Sequence, residues 1–304
     1  MVQKNSLTKI VIIMGPTAVG KTEISNICAY NNFAEIINTD ASSFRKGLTI
    51  GTAKPLKNEM LVKHHFIDFL EPIEDFSIMD FQKLAREKIN ELTKKNKNVI
   101  LVGGSGLYIN SVIMDYKFNE VKMDKSDPYI NLSNQEVHEI LAKLDYETSL
   151  KIHYNNRRRV LRAIKIAKNS SLKISDNITN KYLYDCLPIF INTDREILYK
   201  RINDRVKEML NNGWFEEVSK LKGLGVDVSK IKEIGYYEVA KYLDQKISYD
   251  ELVEIISKKT RNYAKRQITW FKNKIKSIEV LIDYDNIDLT INKINSMIYD
   301  FLKE

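Results

Sequence analysis

The chain has 304 residues, 43% hydrophobic and 29% charged, with a net charge of +8, the proportions of an ordinary globular protein with a basic surface. No apolar run is long enough for a membrane span and Met1–Lys9 has no signal-peptide layout, so a membrane or secreted protein is not expected. Cys28 and Cys186 lie far apart, and His64, His65, His138 and His153 lack metal-ligand spacing, so a zinc or redox-pair protein is not expected and a reducing cytoplasm fits.

In chain order, Ile10–Met14 predicts a buried strand that runs into Gly15-Pro16-Thr17-Ala18-Val19-Gly20-Lys21-Thr22 and then a helix over Lys21–Tyr30. Strand, glycine loop and helix start form the setting of a phosphate-binding loop. Gly15 and Gly20 let backbone N–H groups turn inward, Lys21 supplies a charge, the Thr22 hydroxyl suits Mg²⁺, and the helix dipole points at the same anion. The loop implies a phosphorylated ligand without saying which. Glu35–Thr39 predicts a second strand ending at Asp40, and His65–Phe69 an extended segment. Apolar spacing through Phe81, Leu84, Ile89 and Leu92 predicts a helix over Met79–Lys94. Val99–Val102 predicts a strand that ends in Gly103-Gly104-Ser105-Gly106. The fold class expected is α/β: a P-loop NTPase-like parallel sheet flanked by helices, with Gly15, Asp40 and Gly103 facing one crevice at the strand ends.

From about Asp115 to Asp185 the pattern changes to helices over Asn134–Ile152 and Arg157–Lys168, polar linkers over Lys122–Pro128 and Asn169–Asn180, and no strand. This reads as a helical insertion, residues 115–185, in a core of residues 1–114 and 186–304. A strand returns at Leu187–Ile191, Asp194 caps a helix over Arg195–Asn211, and the rest to Glu304 reads as mostly helical. Arg157–Arg162 holds four arginines in six positions, and Ser257–Lys276 holds Lys258, Lys259, Arg261, Lys265, Arg266, Lys272, Lys274 and Lys276 with no acid. Such clusters suit a polyanion, and the interleaved Tyr263, Trp270 and Phe271 favour nucleic acid over a merely solvated basic face.

Several stretches, in order and over nearly the whole chain, resemble the tRNA dimethylallyltransferase family. They are Gly15–Thr22, Asn38-Thr39-Asp40, Gly47–Pro55, His64–Asp68, Phe76–Phe81, Gly103–Tyr108, Arg158–Ala163, Ile234-Gly235-Tyr236 and Thr260–Phe271. The resemblance implies transfer of a dimethylallyl group from dimethylallyl diphosphate to N6 of adenosine 37 of tRNA, beside the anticodon, with release of diphosphate. The P-loop residues Gly15, Pro16, Thr17, Ala18, Val19, Gly20, Lys21 and Thr22, with Arg201 and Arg205, would then hold the donor diphosphate, and Thr22 its Mg²⁺. Asp40 matches the family's base, and Ser105 stands where the family usually has threonine; Lys21 and Thr17 complete the catalytic set. By residue chemistry alone Asp40 is equally a cap, a turn former or a Mg²⁺ ligand. The tRNA anticodon stem-loop would meet Asp40, Ala41, Ser42 and Ser43, the stretch Arg158, Arg159, Val160, Leu161 and Arg162, and Gly235, Tyr236, Lys265, Arg266, Gln267 and Trp270. Trp270 and Phe271 are equally read as core, and His64 and His65 as structural. A monomer is expected, since no coiled coil or repeat appears.

Two departures stand out. Where the family runs Ser-Arg-Gln after its aspartate, this chain has Ala41-Ser42-Ser43, and Arg45 is a candidate substitute for the base-reading glutamine. The arginine that the family carries early in the insertion has no counterpart in Lys117–Gln135, where Lys122 or Lys125 is the candidate replacement. A P-loop kinase would leave the basic segments unused, an RNA-binding module would not need an intact Gly15–Thr22, and an adenylate prenyltransferase would not need a tRNA-sized basic surface.

Overall fold

The computed structural model describes residues 7–118, 127–169 and 178–304. Lys122 and Lys125 lie outside the described residues. Contacts divide the chain into a larger unit, Met1–Ile113 with Tyr184–Glu304, and a smaller one, Met114–Leu183.

The larger unit is built on a six-stranded parallel sheet in the order β3-β2-β4-β1-β7-β8. The strands are β1 (Lys9–Met14), β2 (Ala34–Asn38), β3 (His64–His65), β4 (Asn98–Gly103), β7 (Asp185–Asn192) and β8 (Ile278–Leu281). Central β1, β4 and the second half of β7 are buried on both faces, which is why they read as continuous apolar runs rather than alternating ones. Helices α1 (Lys21–Asn31), α2 (Ile78–Lys94), α3 (Gly106–Ile113), α7 (Arg195–Met209), α8 (Phe215–Gly223), α9 (Tyr236–Leu243), α10 (Tyr249–Lys274) and α11 (Ile287–Lys303) complete this unit. Side-chain caps start the long ones: Ser77 for α2, Asp194 for α7 and Ser248 for α10 each accept from a backbone N–H of the first turn.

The register places the loops. Met14 is level with Gly103 and Phe190, and Asn38 with Val102, so the turns after β1, β2 and β4 leave the sheet at one edge. A Cβ on Gly103 would stand 2.3 Å from Thr39 Oγ1, so the turns after β2 and β4 can touch only because that residue has no side chain.

In the smaller unit β5 (Met114–Tyr116) pairs antiparallel with β6 (Ile178–Tyr182), and α4 (Asn134–Leu144), α5 (Tyr146–Ser149) and α6 (Arg157–Asn169) pack around Val137, Leu141, Val160, Ala163 and Ile164.

Four expectations are corrected. The insertion is not purely helical, because its two ends pair as β5 and β6. The single helix over Asn134–Ile152 is two, since Asp145 leaves helical geometry (φ −151°) and its carboxylate caps α5 by accepting from Thr148 N–H. Of the extended segment expected over His65–Phe69 only His65 is in a strand, as the last residue of β3, because Phe66 and Asp68 take positive φ values. The mostly helical C-terminal part contains β8, whose partner β7 lies about 90 residues earlier, a pairing that local periodicity does not report.

Candidate active site

β1 delivers the phosphate loop at the sheet edge. Ala18 (φ 64°) and Gly20 (φ 97°) turn the backbone left-handed, and α1 begins at Gly20 with no side-chain cap, leaving its first N–H groups to an anion. Lys21 Nζ donates to the Pro16 carbonyl at 2.7 Å. Burial lowers its ammonium from the usual lysine range to about 8, against the pull of the Asp40 carboxylate. Arg205, on the first face of α7 to meet the loop, is likewise pushed down by burial and held up by Asp40 and Glu208. Arg201, one turn earlier, donates from Nε to the Ala18 carbonyl at 3.0 Å.

Two cavities meet here. The larger, about 720 Å³, is lined by Gly20, Lys21, Thr22, His64, Arg201 and Arg205 among others. The smaller, about 370 Å³, has a polar side with Ser42, Ser105, Tyr263 and Arg266 and an apolar side with Ile202, Val206, Trp214 and Ile256. Asp40 and Arg205 belong to the walls of both. Asp40 Oδ1 accepts from Ser42 Oγ at 3.1 Å and from Ser105 Oγ at 3.5 Å, so the carboxylate is held by two hydroxyls, one of them from the β4 loop. The arrangement offers cations and amides on one side of a carboxylate and a partly apolar chamber on the other.

Thr22 is one of the residues that line the larger cavity. No group of three His, Cys, Asp or Glu side chains among the described residues is arranged to hold a metal. One hydroxyl beside an anion-binding loop suits a Mg²⁺ ion that takes its remaining ligands from phosphate oxygens and water. His64 is held within the fold: its Nε2 is hydrogen-bonded to Asn26 Oδ1 at 2.7 Å, and burial drops its imidazolium to about 4.

Several expected contact residues are placed elsewhere. Gln267 is 4% exposed; its Oε1 accepts from Thr17 N–H at 2.9 Å and its Nε2 donates to the Gly104 carbonyl at 2.9 Å. It ties the phosphate loop to the β4 loop, occupies the Thr17 amide, and presents nothing to a macromolecule. Tyr236 is fully buried, and its hydroxyl donates to Glu217, whose carboxylate also accepts from Thr49, Ile50 and Gly51 N–H at 2.8–3.2 Å. This half-buried carboxylate holds the Gly47–Pro55 loop, two residues of which, Thr52 and Ala53, line both cavities. Gly235 is packed under Trp214, where a Cβ would meet the indole at 2.2 Å. The Trp270 indole stands equally tight over Gly106, at 2.1 Å from a Cβ built there, so it is a packing residue, and Phe271 is core.

In the smaller unit Val160 is wholly buried and Leu161 packs beside it, because both fall on the apolar face of α6. Arg158, Arg159 and Arg162 are exposed and carry no ion pair among the described residues. Arg157 is spent on structure, donating to Asp127, to the Tyr129 and Leu132 carbonyls and to Asn134. Arg45 is no substitute for a base-reading glutamine: Glu233 and the carbonyls of Glu71, Pro72 and Glu74 take up its guanidinium. Ser43 is buried and lines the larger cavity, while Ala41 and Ser42 line the smaller. The acid-free run 257–276 is partly neutralised across the fold by Lys259–Glu238, Arg261–Glu254 and Lys272–Glu279 pairs. Lys265 and Arg266 remain exposed, the latter 5.8 Å over the Tyr263 ring. Tyr263, expected only as one of the aromatics that favour nucleic acid, lines the smaller cavity instead. It is hydrogen-bonded to Ser105 and Gln267, and its spacing one turn before Gln267 on α10 was the available signal.

The profile of the family described as IPP transferase matches residues 44–274. A tRNA dimethylallyltransferase of Finegoldia magna is 42% identical over 277 residues, 87% of this chain and 88% of that one. A tRNA dimethylallyltransferase of Clostridioides difficile (strain 630) is 41% identical over 307 residues, 97% of this chain and 98% of that one. Among solved structures, the full-length tRNA isopentenylpyrophosphate transferase of Bacillus halodurans aligns with a TM-score of 0.74 at 36% identity, over 97% of each chain. A eukaryotic dimethylallyltransferase acting on tRNA shares the fold, with a TM-score of 0.86 at 24% identity, over 97% of this chain and 80% of that one.

Proposed function

The chain belongs to the tRNA dimethylallyltransferase (IPP transferase) family, and we propose that it moves a dimethylallyl group from dimethylallyl diphosphate to N6 of adenosine 37 of tRNA. Transfer of a dimethylallyl group to tRNA is the family's activity; the identity of the donor, the acceptor atom and the residue roles are our reading. The observation that carries it is the position of Asp40, on the shared wall of the cavity that holds Lys21, Arg201 and Arg205 and of a partly apolar one.

The donor diphosphate sits against the N–H groups of Val19, Gly20 and Lys21, the Lys21 ammonium, Arg201 and Arg205. Mg²⁺ on the Thr22 hydroxyl would add charge neutralisation for the leaving diphosphate. The C1–O bond of the donor breaks, the N6–C1 bond forms, and the N6 proton passes to Asp40 Oδ2, the oxygen that Ser42 and Ser105 leave free. Diphosphate departs with the bonding electron pair, which the half-buried Lys21 and Arg205 stabilise more strongly than fully solvated cations would. Ser105 and Tyr263 hold the carboxylate side of the chamber, and Gln267 keeps the two loops in register.

Arg158, Arg159 and Arg162 on α6, with Lys265 and Arg266 on α10, bind the tRNA backbone. One chain suffices, since every group assigned a role comes from a single copy. No helix among the described residues is long and apolar enough to cross a membrane. We place the protein in the cytoplasm, where tRNA is found and free thiols such as Cys28 and Cys186 stay reduced. The test is incubation with labelled dimethylallyl diphosphate, Mg²⁺ and bulk tRNA, followed by digestion and identification of the labelled nucleoside. Label on N6-dimethylallyladenosine is expected. Phosphoryl transfer from labelled ATP without prenyl transfer would replace this reading with a kinase.

A further inference from the structure

The outer side of the phosphate loop is held by a residue far from it in sequence. After β8 the chain turns at Asp283, whose Oδ1 accepts from Asp285 and Asn286 N–H at 3.0 and 3.1 Å, and this turn presents Tyr284 to the loop. The Tyr284 hydroxyl donates to the Val19 carbonyl at 3.2 Å and is also hydrogen-bonded to Thr193. Its ring lies under the Arg201 guanidinium, 4.2 Å from centroid to Cζ. Arg201 in turn donates from Nε to the Ala18 carbonyl, lines the larger cavity, and has no acidic partner among the described residues.

Peptide planarity gives these contacts a consequence. In a trans peptide the carbonyl of one residue and the N–H of the next point in opposite directions. Fixing the Ala18 carbonyl therefore fixes the direction of the Val19 N–H, and fixing the Val19 carbonyl does the same for the Gly20 N–H. Both peptides border a left-handed residue, Ala18 (φ 64°) or Gly20 (φ 97°), where the loop has most freedom to turn the wrong way. A guanidinium stacked on a ring and bonded through Nε keeps both terminal nitrogens for a further acceptor in a set plane.

We infer that Tyr284 is a positioning residue for diphosphate: its ring shelves Arg201, and its hydroxyl aims the Gly20 amide into the cavity. The inference rests on the reading of that cavity as the diphosphate site. Tyr284 acts through the loop and Arg201 and has no part in the smaller chamber, whose wall does not include it.

The test uses the full chain, inorganic diphosphate with Mg²⁺ as the calorimetric probe, and steady-state prenyl transfer. Tyr284→Phe keeps the shelf and loses the hydroxyl, and diphosphate should bind roughly 3-fold more weakly. Tyr284→Leu loses both, and diphosphate binding should weaken by roughly 10-fold, with kcat/KM for the donor falling in parallel while KM for tRNA stays within about 2-fold. In an Arg201→Ala background the Tyr284→Leu effect should shrink to that of the hydroxyl alone. Wild-type affinity in Tyr284→Leu, a KM for tRNA that rises as far as kcat/KM for the donor falls, or effects of Arg201→Ala and Tyr284→Leu that simply multiply would each overturn the inference. A wild-type protein that binds no diphosphate would overturn it together with the donor reading.

Discussion

The cleft of the larger unit and helix α6 of the smaller one both concentrate positive charge, yet they do so in opposite ways. In the cleft, Lys21 and Arg205 are half-buried near the Asp40 carboxylate, the phosphate loop is tied by Gln267 and Arg201, and the Gly47–Pro55 loop is tied by Glu217. On α6, Arg158, Arg159 and Arg162 stand in water on a helix whose other face is Val160, Ala163 and Ile164. Charges removed from solvent act strongly and directionally on one bond, whereas exposed charges add small, screened contributions over a wide surface. Single substitutions in the cleft should therefore stop chemistry, and only combined substitutions on α6 should be felt.

The sharpest test of the contrast is Asp40→Asn, which keeps shape and removes basicity. Turnover should fall by roughly 10²–10⁴-fold, with donor and tRNA affinity within a few fold. Single-turnover rates at saturating substrates measure this, and a parallel loss of tRNA affinity would make Asp40 a binding residue. Lys21→Ala should cost on the order of 10²-fold in prenyl transfer, because the leaving group loses a half-buried charge.

The same lysine predicts a pH dependence. Burial brings its ammonium down to about 8 in the free protein, so the cation is present below that pH and lost above it. The kcat/KM for the donor should decline as pH rises through about 8, and this limb should vanish in Lys21→Ala; an unchanged limb would assign it to another group. For α6, joint neutralisation of Arg158, Arg159 and Arg162 should weaken tRNA binding and reduce its salt slope by roughly one to three, with donor KM unchanged. Equal affinity and slope would leave that face as solvated surface. The smallest effect is expected at Ser105. Ser105→Thr keeps the hydroxyl beside Asp40 and should stay within about 2-fold of wild type, while Ser105→Ala should lose several-fold in turnover, about the value of one hydrogen bond.

What the amino-acid sequence by itself determined is the part of this protein governed by short range. The phosphate loop, the strands around it and the cap at Asp194 depend on residues a few positions apart, and a steric or hydrogen-bonding rule applies to each. That Asp40 and Gly103 line one cavity followed from the rule that loops at one edge of a parallel sheet face together, whereas Gly15, expected beside them, lines neither cavity and is packed against the Ile191 carbonyl.

Only the tertiary structure decided how charges and polar groups are partnered. Arg45 and Glu233 are 188 residues apart, Thr17 and Gln267 are 250 apart, and Val19 and Tyr284 are 265 apart. Periodicity is blind to such pairs, so a motif residue such as Tyr236 or Gln267 reads as a contact to an outside partner when it is a buried brace. It is equally blind to β8, which is a strand because β7 lies beside it. Burial follows the same logic: Val160 sits between exposed arginines in sequence, but a helix turns 100° per residue and sends it to the core.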